Sequence, residues 1–248
     1  MLKKLIINSD DFGMTEGNTL GTLFCHTDGS LTSTTTMMNM PFAAFALEEA
    51  KKHPDLGIGI HFVLTAGQPL LKDLKSLVDE NGNFYKWSTY SSGSHVVDQE
   101  ELYQEWKAQM ELFIKLYGQK PTHIDSHHHV HAVPHHQPVA LRLGEEYDLP
   151  IRQDKHVDQR YEFAAFKDGF YGDDLTVEGF IDMIKSCPEE IAEFMAHPAF
   201  LDERLYNMSA YGLPRMKEME ILRSPTLKNF LEDNNIQLIT YKELAKLK

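Results

Sequence analysis

The sequence predicts an α/β fold: an irregular TIM-like (β/α) barrel of about seven strands in a single domain. Three observations carry this reading. Short apolar or β-branched runs alternate with amphipathic helical patterns along nearly the whole chain, which implies parallel strands joined by helical crossovers. Seven strands in 248 residues are enough to close such a barrel. No G-x-G-x-x-G follows the first strand, which weighs against the competing open, doubly wound sheet of dinucleotide-binding proteins.

The elements follow in order. Lys3–Ser9 is the first strand, and Thr15 caps a helix that runs to about His26 and stops at Gly29. Leu31–Met40, rich in Thr and Met, is a second strand. Phe42–His53 is a helix closed by Pro54, and Leu56–Thr65 a third, buried strand. In Leu102–Tyr117 the residues Leu102, Trp106, Met110, Phe113 and Tyr117 recur at helical spacing. A strand at Thr122–His128, a helix at Gln137–Tyr147 and a short strand at Pro150–Gln153 come next. The helix Val177–Ser186 precedes the strand Ile191–Ala196, and the helix Met216–Asp233 precedes the strand Ile236–Tyr241. Gly67–Asp98 and His156–Asp174 interrupt the alternation and read as insertions on the loop face, where a substrate pocket is built. No repeat or linker divides residues 1–248, so they read as one catalytic domain.

Composition excludes several classes. Hydrophobic residues are 42% and charged residues 25% of 248, which rules out wholesale disorder. Lys and Arg total 24 against 37 Asp and Glu, and the net charge of −13 repels nucleic acid and anionic membranes. No apolar stretch reaches membrane-spanning length. The first residues read as a strand rather than a signal peptide, so a cytoplasmic location is expected. Cys25 and Cys187, far apart and outside any CxxC, are expected to be buried, inert thiols.

The unusual feature is histidine: 13 in all, seven of them between His123 and His136. If HIDSHHHVH is extended, His123, Asp125, His127, His129 and His131 face one way. Alternate strand residues stand about 6–7 Å apart, whereas a zinc–nitrogen bond is about 2.0–2.1 Å. One cation therefore engages one or two of these side chains. The others serve as hydrogen-bond partners, proton carriers or substrate contacts. Asp11 and His61, from other strand ends, complete a set with His127 or His129: two imidazoles, one carboxylate and open positions, as a catalytic metal requires. Asp10 then stays off the ion as a proton acceptor. His197, in AHPAF, is placed to donate a proton to a leaving group. His135 and His136 read as a surface helix start.

The segments INSDDFG (Ile7–Gly13), LTSTTTMMN (Leu31–Asn39), GIGIHFVLT (Gly57–Thr65), KPTHIDSHHHVH (Lys120–His131), AHPAF (Ala196–Phe200) and SAYGLPRMKEMEIL (Ser209–Leu222) resemble the YdjC-like carbohydrate deacetylase family, in its order and nearly end to end. The nearest likeness is to its chitooligosaccharide deacetylases. The resemblance implies an irregular barrel and a divalent cation, magnesium by family habit, held by Asp11, His61 and His127. It places Asp10 as base and His197 as acid candidate. Arg152 and Arg215 fall on basic positions that orient a carboxylate or substrate. Strand spacing, not the resemblance, leaves Asp125, His129 and His131 to touch substrate or to support the ligands. By ligand preference alone, two His and one Asp suit zinc. The implied substrate is a small N-acetylated oligosaccharide such as chitobiose or its 6-phosphate, and a homo-oligomer is expected. Phe12, Phe62, Trp87, Tyr171 and Tyr211 are candidates to stack on a sugar. The competing functions are another metallohydrolase, acting on a phosphoester or cyclic amide, and a non-catalytic metal- or sugar-binding protein.

Overall fold

The computed structural model describes residues 2–93, 95–152 and 160–246. Its sheet is built from β1 (Lys4–Phe12), β2 (Ser33–Thr36), β3 (Gly57–Phe62), β4 (Ile124–Ser126), β5 (Ala165–Lys167), β6 (Ile191–Ala196) and β7 (Gln237–Leu238). The strands run in the order β4-β3-β2-β1-β6-β5, all parallel, and curl into a half-barrel. β6 follows one edge of β1 from Lys4 to Ser9. β7 therefore takes the other edge, at Lys4 and Leu5, below the point where β2 joins at Asn8.

Strand parity sorts the residues into two environments. Leu5, Ile7, Ile58, Ile60, Phe62, Ile124, Ala192 and Phe194 face outward into the main apolar core beneath the helices. The other parity points into the barrel and is largely polar: Asn8, Asp10, Thr35, His61, His123, Asp125 and Glu193, all buried. Gly59 is needed on this inner face, because a Cβ there would stand 2.5 Å from the His123 ring. That space lets His123 stack on Tyr241, with ring centroids 3.7 Å apart.

Helices cover the outer face. α1 (Glu16–Thr27) starts where the Thr15 hydroxyl accepts the Asn18 N–H, a cap worth about 1 kcal/mol. α2 (Ala43–Ala50) and the short α3 (Trp87–Ser91) follow. α4 (Gln99–Tyr117) is capped by Asp98 and ends at Gly118, whose φ of 86° closes it in the left-handed region. Its Trp106 stacks on Phe62 of β3 at 5.0 Å. α5 (Gln137–Tyr147), α6 (Val177–Ser186), α7 (Glu203–Met208), α8 (Leu213–Leu222) and α9 (Pro225–Asp233) complete the chain.

The sequence reading needs several corrections. The second strand keeps only Ser33–Thr36 of Leu31–Met40. The expected strand at Pro150–Gln153 reduces to one bridge between Ile151 and Ile124, and Gln153 lies outside the described residues. The insertion expected at His156–Asp174 contains an edge strand, β5, while its residues 156–159 lie outside the described ones. The last helix is two: Pro225 lacks the N–H that a continuous helix needs, and it opens α9 instead. His136 precedes α5 but is buried, its Nδ1–H donating to the Val130 carbonyl, so it is no surface residue. Cys25 and Cys187 are free and buried as expected.

Candidate active site

Two adjacent aspartates reach one pocket because β1 carries a bulge. Ser9 pairs with Thr34 but Phe12 pairs with Thr36, so one extra residue is accommodated on β1. Asp11 takes φ 66° there, a left-handed conformation that Asp tolerates better than most residues. Asp10 keeps its inward parity, and Asp11 is turned to the same pocket.

Asp11 gathers three partners. Its Oδ2 accepts from Arg215 Nη2 at 2.6 Å. Its Oδ1 lies 2.9 Å from His127 Nδ1 and 3.5 Å from His61 Nε2. Ligands about 2.1 Å from a shared cation stand roughly 3–3.5 Å from one another, so these separations fit one ion. Asp125 supports the set from below: its Oδ1 lies 2.7 Å from His61 Nδ1. With Nδ1–H donated to that carboxylate, Nε2 faces Asp11 and is the atom that would turn its lone pair to a bound cation. A carboxylate–histidine pair of this kind fixes the tautomer of metal-ligating histidines. Burial pulls His61 down, but the carboxylates of Asp125, Asp11 and Asp10 outweigh it and raise it to about 10. The pocket therefore favours a cation at this position.

HIDSHHHVH does not stay extended. β4 ends at Ser126, and the chain turns through a 3₁₀ segment in which His128 and His129 have φ of 56° and 54°. Two successive left-handed non-glycine residues are strained. The turn is what brings His127, His128 and His129 together on the pocket wall. His129 does not join the ligand set; its ring stands 5.3 Å from Phe166. His131 turns away to Ser126, at 2.6 Å, and to the Arg152 carbonyl. The single face expected for five alternate residues is thus corrected: His123 and Asp125 point into the barrel, His127 and His129 into the pocket, and His131 to neither.

Beneath the ligand set lies a buried ionic lattice. Arg152 donates Nη1 and Nη2 to the two oxygens of Asp10 at 2.8 and 2.7 Å, and Nε to Glu193 at 2.9 Å. Its Nη2 is also 2.8 Å from Asp125 Oδ2. Asn8 and Thr35 donate to Asp10 and Asp125 respectively, and Tyr241 donates to Glu193. Burial pushes Asp10 up, yet the guanidinium outweighs it and holds the carboxyl well below its usual range. A second acidic group, Asp10, His61 and Asp125, has donors close enough for an ion. Arg152 already supplies the positive charge there.

α8 completes the pocket. Arg215 and Glu218, three apart, share one face of it. Arg215 reaches Asp11, while Glu218 accepts the backbone N–H of His197 and the hydroxyl of Tyr211, the latter at 2.6 Å. His197 is buried, with Nδ1 3.9 Å from Glu218 Oε1. Burial, then the positive charge of Arg215, pull His197 down to about 4. Sequence reasoning missed Glu218, Glu193 and Thr35. A signal existed for two of them: Glu193 is the sole charge within the apolar strand IAEFMA, and Glu218 lies one turn from Arg215.

The pocket above has a volume of about 780 Å³. One wall carries Lys86 and Trp87 beside His128; the other carries Tyr171, stacked on Tyr211 at 4.0 Å. Phe12 and Phe62 are fully buried and meet no substrate.

A family model described as YdjC-like protein matches residues 4–233. The chain belongs to the YdjC-like family. A carbohydrate deacetylase of Brevibacillus brevis is 42% identical, over 98% of this chain and all of that one. A chitooligosaccharide deacetylase of Yersinia pestis is 38% identical, over 96% of this chain and 98% of its own. The crystal structure of a putative cellobiose-phosphate cleavage protein from Enterococcus faecalis superposes with a TM-score of 0.88 at 37% identity, covering 99% of this chain and 100% of that one. This YdjC-like chain is accordingly an enzyme, with full-length relatives at 38–43% identity named carbohydrate or chitooligosaccharide deacetylases.

Proposed function

We propose that this YdjC-like enzyme hydrolyses the N-acetyl group of an N-acetylglucosamine-containing oligosaccharide, such as chitobiose or its 6-phosphate, with a divalent cation. The observation that carries this is the convergence of Asp11, His61 and His127 beside an ionised Asp10 and His197 in one sugar-sized pocket. Such a cation, when bound, would polarise the acetyl carbonyl and acidify a water. Asp10 takes the proton from the attacking water. Three of its lone-pair sites are used by Asn8 and Arg152, and a carboxylate offers about four, so one remains. Arg152 fixes its direction and keeps it ionised. Arg215 occupies Asp11 Oδ2 and leaves Oδ1 for the cation. His197 supplies a proton to the departing amine, which leaves poorly without one. Trp87 and Tyr171 offer flat faces for sugar rings.

A two-metal phosphoesterase is disfavoured because Arg152 fills the second acidic group. Family resemblance favours magnesium and the donor set suits zinc, which elemental analysis of the purified protein decides. A homo-oligomer and a cytoplasmic location complete the proposal. No helix among the described residues is long and apolar enough to cross a membrane. The test is acetate release from N-acetylglucosamine, chitobiose, longer oligomers and their 6-phosphates, with and without chelator. Asp11→Ala, His61→Ala and His127→Ala should each abolish it. Release at the wild-type rate in metal-free buffer, or from none of these sugars, overturns the proposal.

A further inference from the structure

Glu218 is fully buried, and the groups that hydrogen-bond it are neutral. Its Oε1 accepts the Tyr211 hydroxyl and its Oε2 the His197 N–H. Arg215, on the same helix, bonds Asp11 through Nη2 and the Tyr211 carbonyl through Nε; it makes no hydrogen bond to Glu218, and the pull of its charge on that carboxyl is outweighed by burial. The other titratable groups around Glu218 are His197 after β6, Asp10 of β1, Cys25 of α1 and the two tyrosines, Tyr171 and Tyr211. A buried carboxyl without an ion-pair partner holds its proton more tightly, and burial raises Glu218 to about 7. The histidine beside it has the opposite problem. Burial leaves His197 neutral, so after one proton leaves Nε2 the ring has no replacement of its own. Its Nδ1 is buried without a hydrogen-bond partner, 3.9 Å from Glu218 Oε1. Closing that gap requires a swing of the ring, and catalytic hydrogen bonds are often long before substrate binds.

We propose that Glu218 is the proton store behind His197, its carboxyl proton passing to Nδ1 as Nε2 protonates the leaving amine. The O–H bond of Glu218 breaks as an N–H bond forms at Nδ1. The N–H bond at Nε2 breaks as one forms on the amine nitrogen. Glu218 ends as a carboxylate and His197 as the other neutral tautomer, and a solvent proton at Nε2 returns the Nδ1 proton to Glu218. Glu218 acts through His197 and is a positioning and proton-supplying residue. The inference rests on the deacetylase reading above.

The test compares two substrates on metal-loaded enzyme. Chitobiose must lose an amine, which needs a proton; 4-nitrophenyl acetate loses a nitrophenolate, which does not. Glu218→Gln should lower kcat on chitobiose by about 100-fold or more, with KM and metal affinity kept. Ester hydrolysis should stay within about threefold. Glu218→Asp, which retains a carboxyl, should recover part of the loss. A parallel fall on both substrates, or an unchanged kcat on chitobiose, overturns the inference. Infrared spectroscopy below neutral pH reads the proton without turnover: wild type should show a protonated buried carboxyl band that Glu218→Gln lacks. Absence of that band also overturns it. A wild type that releases no acetate from any N-acetyl sugar sinks the deacetylase reading instead, and the infrared band still decides where the Glu218 proton sits.

Discussion

Arg152 grips both oxygens of Asp10 in a fork, at 2.7 and 2.8 Å, from the far side of the barrel interior. The same guanidinium meets Asp125 and Glu193, so one cation holds three buried carboxyl groups. Removing one partner from a buried ion cluster leaves uncompensated charge and typically costs about 3–5 kcal/mol. Arg152→Ala should therefore lower stability by about that much, read as a shift of the urea midpoint. Arg152→Lys keeps the charge but loses the planar fork, so it should fold better than Arg152→Ala yet lose activity. An unchanged midpoint in Arg152→Ala would mean that the lattice contributes no net stability.

Asp125 would act on the proposed cation through His61, whose Nδ1 lies 2.7 Å from its Oδ1. Asp125→Asn keeps the shape, removes the charge and allows the wrong His61 tautomer. Loss of such a supporting carboxylate typically costs about 10–100-fold in metal affinity. Titration of the apo-protein with zinc or magnesium should show a loss of that size. Mutation of His129, outside the ligand group, should leave affinity near wild type. Equal losses in both variants would refute the ligand assignment.

Asp10, Asp11, His61, His127 and His197 were legible in the sequence as pocket residues because they stand at or next to strand ends, and strand ends converge in a parallel barrel. What held them in place was not. The bulge at Asp11 leaves no compositional mark, since an extra residue in a strand looks like strand. His128 and His129 in left-handed conformations break a pattern that reads as extended by period alone. β5, three residues long, is too short to give a periodic signal and was hidden in a loop. Glu218 was missed because a glutamate in a charged helix looks solvated until its burial is known.

Acid sensitivity should come in part from His123. Burial pulls it down from 6.5 to about 3, so the folded state keeps it neutral. The unfolded chain binds its proton first as pH falls. The stability it contributes is present above pH 6.5 and is lost as pH falls towards about 3. His123→Phe removes the titration and keeps the flat stack on Tyr241; Nε2 has no hydrogen-bond partner, so the bond lost is the one between Nδ1 and the Thr122 hydroxyl at 2.9 Å. The variant should unfold at lower pH than wild type in an acid titration followed by circular dichroism. An acid midpoint that does not move would place the sensitivity elsewhere.

Trp87 and Tyr171 stand on opposite walls. Trp87 neighbours His128, after β4 at one end of the strand order, and Tyr171 neighbours His197, after β6 towards the other. β1, with Asp10 and Asp11, lies between them. A sugar chain that presents its acetyl group to Asp11 must cross both walls. A stacking face contributes equally to bound substrate and transition state, so its loss raises KM and spares kcat. Trp87→Ala should raise KM for chitobiose by about tenfold, the equivalent of about 1.4 kcal/mol of lost stacking. The penalty on N-acetylglucosamine should be smaller, because one ring cannot span both walls. Steady-state kinetics on the two sugars measures this directly. If kcat falls instead, Trp87 shapes the reacting centre and not a distal sugar site; if both sugars suffer alike, the ring it holds is the one that carries the acetyl group.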